Sequence, residues 1–166
     1  MKENGMRRTI ALATVVGLAL ALSAVGAGAE TSPTRDEYRA AAEPICKANT
    51  KANERIFSGV RQQVREDKLR PAAAKFEKAA KALTTARRQL LVLPQPSADK
   101  TRLINWFGYM KEEVELFKQT AKLLRAGEKS KAVRMTEELT RTGNRANAEV
   151  LGFDFVYCRF EPSKFT

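Results

Sequence analysis

Apolar side chains recur at steps of three and four along most of this chain. The clearest run is Leu69, Ala72, Phe76, Ala79, Leu83, Ala86, Leu90 and Leu93, which places one narrow stripe along a helix that starts near Pro71 and stops at Pro94-Gln95-Pro96. A third helix, with Ser97 or Asp99 as its cap, repeats the pattern with larger groups: Leu103, Phe107, Met110, Val114, Phe117, Ala121 and Leu124. Gly127 stops it. A fourth helix from about Lys129 to Val150 buries Ala132, Met135, Leu139, Ala146 and Val150, with Gly152 as a left-handed C-terminal stop and Phe153 beside it.

The first helix is less regular. Thr34-Arg35-Asp36-Glu37 has the form of a capping box, so a helical segment carrying Tyr38, Ala41 and Ala42 begins there. Pro44 lacks a backbone donor, which predicts a break at Glu43-Pro44 and a main helix from Pro44 to Glu66 burying Ile45, Ala52, Ile56, Val60 and Val64, flanked by Phe57. Gly59 weakens this helix locally. The expectation is an all-α, up-down-up-down antiparallel four-helix bundle with a kinked or split first helix and a short C-terminal tail from Phe153.

The first 29 residues are of another kind. Lys2, Arg7 and Arg8 precede an apolar run from Ile10, and Ala27-Gly28-Ala29 has the small-x-small form of a signal-peptidase site. Residues 1–29 therefore read as a cleaved signal peptide, and residues 30–166 as a single helical-bundle domain. A retained anchor is the alternative, because the run approaches the roughly 20 residues that span a bilayer. Its Ala- and Gly-rich softness favours cleavage and no membrane span afterwards.

Export changes the reading of charge and cysteine. Removing Lys2, Arg7, Arg8 and Glu3 from the whole-chain +11 leaves 11 − 2 = +9 on the mature part, a field that attracts an anionic polymer, a lipid surface or an acidic envelope protein. Cys46 and Cys158 are the only cysteines, and in an exported chain they read as a disulfide rather than two buried thiols. In the bundle the start of the first helix and the end of the fourth lie together, so the bond forms if the tail folds back across that end.

The signal segment, Tyr38 with Ile45-Cys46-x-Ala48-Asn49, the Leu93-Pro94-x-Pro96 hinge, Trp106, Gly127 and the Leu151-Gly152 to Cys158 ending together resemble a group of bacterial exported small helical-bundle proteins with no assigned activity. The resemblance covers most of the mature chain. It implies the fold and export and carries no catalytic residues.

Candidate chemistry is sparse. There is no histidine, which removes the Glu-x-x-His ligands of di-iron bundles and the Cys-x-x-Cys-His of c-type haem, so no metal or cofactor is expected. Met110 and Met135 fall at core spacing. Glu112, Glu113 and Glu115, and Glu137 and Glu138, read as a solvated face paired with Lys111, Lys118, Arg134 and Arg141, Glu137 lying at i, i+4 to Arg141. Two features remain. Lys47, Lys51 and Arg55 form a basic stripe suited to an anion, and Asn49, Asn53, Trp106, Thr142 and Asn147 gather toward the disulfide end, where they set helix register or line a polar pocket. No groove-reading motif supports sequence-specific nucleic-acid binding. The expected function is a non-enzymatic binding or interaction module for an anionic envelope component or partner protein. The alternatives are a small-ligand carrier or sensor using the polar pocket, and a carboxylate-based hydrolase.

Overall fold

Why the chain starts its first helix at Arg35 is visible in the computed structural model, which describes residues 32–161 of the 166. The Thr34 hydroxyl accepts from the Glu37 N–H while the Glu37 carboxylate accepts from the Thr34 N–H at 2.7 Å, so the predicted capping box is complete. Five helices follow: α1 Arg35–Phe57, α2 Val60–Arg65, α3 Leu69–Leu91, α4 Lys100–Arg125 and α5 Lys129–Glu149, with single 3-10 turns at Ser97–Asp99 and Leu151–Phe153. Together α1 and α2 form a bent first helix, and the whole is an up-down-up-down four-helix bundle with no strand among the described residues. The expected signal segment lies outside the described residues.

The bend is displaced from its predicted place. Helix α1 runs through Pro44 without interruption, and Pro44 and Ala40, whose carbonyl loses its helical donor, are both exposed residues. The break falls at Ser58-Gly59 instead, where Ser58 is extended (φ −48°, ψ 120°) and Gly59 takes the left-handed φ of +72°. Phe57 and Val60 on either side are both buried, so the bend keeps the chain on the core.

The stripe of α3 is buried from Ala72 to Leu90 as predicted, and all seven α4 positions are buried. In α1 the inward face is instead Tyr38, Ala42, Cys46, Thr50, Asn53 and Phe57, one position away from the predicted Ile45, Ala52 and Ile56, which are half-buried. Asp99 occupies the N-cap position of α4, but its side chain makes no capping bond. It is 2% exposed and bonded through both oxygens to the Arg35 guanidinium at 2.6 and 2.7 Å, which holds its pKa below the ordinary 3.8. Gly127 is left-handed as expected, with φ +79°, whereas Gly152 is not: Asp154 takes that conformation, at φ +52°.

Helices α3 and α4 and helices α4 and α5 pack along their lengths, and α3 also packs on α1. Helices α1 and α5 do not pack side by side. What lies between them is the tail. Phe153 and Phe155 stack on each other at 5.3 Å, Phe155 stacks on Trp106 at 5.7 Å, and Phe153 meets Tyr38 edge-on at 5.8 Å, so the tail plugs the bundle end with rings.

Candidate functional site

The tail is bonded to both of its neighbours. On the α1 side the Glu43 carboxylate accepts the backbone N–H groups of Val156 and Tyr157, Thr50 Oγ1 donates to the Tyr157 carbonyl, and Cys46 is joined to Cys158 with Cα atoms 5.0 Å apart. On the α5 side Asn147 donates to the Phe160 carbonyl at 2.8 Å and accepts the Phe160 N–H at 2.7 Å. This explains the polar inward face of α1. Thr50 faces a strip of irregular backbone whose polar groups need partners.

Because the tail stops short of the whole α1/α5 gap, it leaves two spaces, with Phe160 bordering both. The first is a cavity of about 70 Å³ beside the disulfide, to which α1 contributes Asn49 and Asn53, α4 contributes Trp106 and Glu113, and α5 contributes Asn147. Four of the five residues singled out for a polar pocket thus meet at one cavity. Thr142 does not join them. It is fully buried in the α4/α5 interface, donating to Glu112 Oε1 at 3.0 Å and accepting from Arg145.

Asn53 Nδ2 donates to Asn49 Oδ1 at 3.3 Å, but Asn53 Oδ1 is buried with no partner. Glu113 is the residue that sequence reasoning missed. It is 5% exposed and makes no hydrogen bond or ion pair with a described residue, so it does not belong to the solvated face expected of it. Burial, with the Glu112 charge adding, pushes its pKa up to about 8. Its spacing carried the signal: Trp106, Met110, Glu113 and Phe117 step by four, three and four along one face of α4. The other acids pair on the surface, Glu112 with Arg145, Glu115 with Lys118, and Glu138, not Glu137, with Arg141.

The second space is a cleft of about 400 Å³ between α2 and α5. Its floor is Phe57, Phe76 and Phe117, whose rings meet at 5.1 to 6.2 Å, with Leu124 beyond them. Val60 and Val64 form one wall and Ala132, Val133 and Leu139 the other. Thr136 and Thr140 also line it, with their hydroxyls engaged by carbonyls of their own helix. Arg61 and Arg65 stand at the α2 rim and form no ion pair among the described residues. The cleft lies where α2 is turned by Gly59 and where α5 presents Ala132, Thr136 and Thr140 between its larger side chains.

The basic stripe is divided by its surroundings. Lys47 lies over the Tyr157 ring at 5.1 Å and is engaged with the tail, Lys51 is exposed, and Arg55 meets Lys75 and Lys78 of α3 at a shallow depression. No group of three or more Cys, Asp or Glu side chains suited to a metal occurs among the described residues. Nor is any helix there long and apolar enough to cross a membrane.

Fold and site together define a disulfide-tied helical bundle with an open apolar cleft and a small polar cavity. Comparison with protein-family profiles, curated protein sequences and solved structures returns no match.

Proposed function

We propose that the protein is an exported, non-enzymatic binding module that takes a single-chain anionic amphiphile, with the hydrocarbon in the cleft between α2 and α5 and the anionic head at Arg61 and Arg65. The observation that carries this is the cleft itself. A concave apolar space with a few polar groups at one edge is the usual form of a small-ligand site, and about 400 Å³ lies at the small end of the range for such sites. Two exposed guanidiniums at the rim match a carboxylate or phosphate, and a +9 mature chain gathers anionic amphiphiles at long range.

Catalysis finds less support. Hydrolysis of a glycosidic bond uses two facing carboxylates, and among the described residues Glu113 is the single carboxylate at its cavity. Export is supported by the signal-like residues 1–29 together with a disulfide closing most of the chain.

Calorimetric titration with decanoate, dodecanoate and dodecanol tests the reading. Each buried methylene contributes ~0.8 kcal/mol, so two more carbons should tighten binding roughly fifteenfold until the cleft is full. Dodecanol should bind more weakly than dodecanoate, and the Arg61→Glu/Arg65→Glu protein should lose that preference. Equal affinity for acid and alcohol in both proteins, or no binding, would reject it.

A further inference from the structure

Two side-chain acceptors meet at the cavity beside the disulfide. Asn53 Oδ1 is buried with no partner among the described residues, and Glu113 of α4 lines the same space and makes no hydrogen bond with a described residue. Among the donors around it, Thr50 Oγ1 is engaged by the Tyr157 carbonyl, Asn53 Nδ2 by Asn49 and Asn147 Nδ2 by the Phe160 carbonyl, while Asn49 Nδ2 and the Trp106 Nε1–H bond neither of these acceptors. A buried acceptor without a partner calls for a donor, and an ammonium beside a carboxyl brings three.

We infer that this cavity binds the ammonium end of a small zwitterion of the amino-acid class, with the ammonium held by Glu113 and Asn53 Oδ1 and the ligand's carboxylate held by Arg159. Size limits what enters. A space of about 70 Å³ has room for a few non-hydrogen atoms, given that a water occupies ~30 Å³ of liquid, so an ammonium nitrogen and its carbon fit while a long side chain does not. Trp106 presents an aromatic surface to the same space, which a cation favours.

Charge around the cavity selects a zwitterion over a simple amine. Arg159 is exposed, borders the cavity from the tail and makes no ion pair with a described residue. It opposes a bare cation and is placed to take an anion at the rim. From α1 the facing groups are the uncharged Asn49, Thr50 and Asn53, and from α3 the apolar Leu83, Ala86 and Leu90. On α4 the neighbouring Glu112 is already paired with Arg145 of α5. Glu113 is therefore the negative group available to an ammonium inside, and binding draws it into the ionised form with release of its proton.

Glycine, methylammonium and acetate titrated into the intact oxidised protein at pH values above 8 test this, with Glu113→Gln and Arg159→Ala proteins alongside. Glycine should bind, methylammonium roughly tenfold more weakly, and acetate not at all. Glu113→Gln should abolish amine binding while its melting curve shows it folded, and Arg159→Ala should reduce glycine to the level of methylammonium. Below pH 8 glycine binding should release a proton, read as a dependence of the heat on the buffer. Failure of both amines to bind at millimolar concentration, binding undiminished in Glu113→Gln, or acetate binding as well as glycine would each overturn the inference. None of these outcomes bears on the cleft.

Discussion

Replacing Glu113 by glutamine should make the protein more stable, and increasingly so as the pH rises. A buried carboxyl whose pKa is about 8 in the fold and 4.5 when solvated prefers its protonated form in the native state. Its sign follows directly. The Glu113 contribution to native stability is greatest below the unfolded value near 4.5, falls as the unfolded chain ionises and the native one resists, and levels off above the folded value near 8. The gap of about 3.5 pH values corresponds to about 5 kcal/mol at 1.36 kcal/mol each, and about 3 kcal/mol of it is present by neutral pH. Glutamine keeps the shape and cannot ionise, so it removes this pH dependence. For the 130 residues from 32 to 161, an unfolding entropy of ~2.1 cal/mol/K per residue turns 5 kcal/mol into a difference of about 15–20 °C. Melting curves of the two proteins, recorded by circular dichroism from pH 4 to pH 9, should nearly coincide at the acid end and diverge steadily above it. Parallel curves, with one fixed offset at every pH, would refute the argument. Glu113 would then be solvated or paired in the native protein.

Other perturbations follow from the tail and its anchors. The Cys46–Cys158 bond joins residues 112 apart, for which the chain-entropy relation gives about 4.8 kcal/mol, so reduced protein and a Cys46→Ser/Cys158→Ser variant should both melt roughly 15 °C lower than the oxidised form. A Cβ at Gly143 would stand 2.1 Å from the Phe160 ring, so Gly143→Ala should destabilise by ~1–3 kcal/mol and speed amide exchange in residues 156–160. Gly108, exposed in α4 with nothing near it, is the control, and Gly108→Ala should stabilise by ~0.5–1 kcal/mol in the same urea titration. Arg35→Met leaves Asp99 buried without its partner and should lower the melting temperature at neutral pH. Because the folded pKa of Asp99 is depressed, the bonded pair stabilises above about pH 3.8, and the gap between the two proteins should close as the pH falls through the lower native value.

What the sequence discloses here depends on whether a side chain faces another helix or the tail. Helices α3 and α4 pack on helices along both sides, so their 3-4 stripes name the core residues correctly. Helix α1 packs on α3 on one side and on irregular tail backbone on the other, and its inward face therefore carries Cys46, Thr50 and Asn53, which no hydrophobic pattern selects. Pro44 misleads for a related reason: its cost depends on whether the orphaned carbonyl meets water, which spacing alone does not report. Asn49, Asn53, Trp106 and Asn147 are legible as a group because each sits off-pattern near the disulfide end. Glu113 hides among neighbouring acids that do pair on the surface. The cleft is hardest to foresee, since it combines something local, the left-handed turn at Gly59, with something distant, the face that α5 turns toward α2.

The account rests most heavily on the cleft between α2 and α5 as the place where an anionic amphiphile lies. A crystal structure of the protein with a terminally brominated dodecanoate, read by the anomalous signal of bromine, addresses this directly. The account predicts one bromine site against Phe57, Phe76 and Phe117, with the carboxylate within hydrogen-bond reach of Arg61 or Arg65. Bromine density elsewhere on the surface, or an unoccupied cleft in a crystal grown with the ligand in excess, would contradict it.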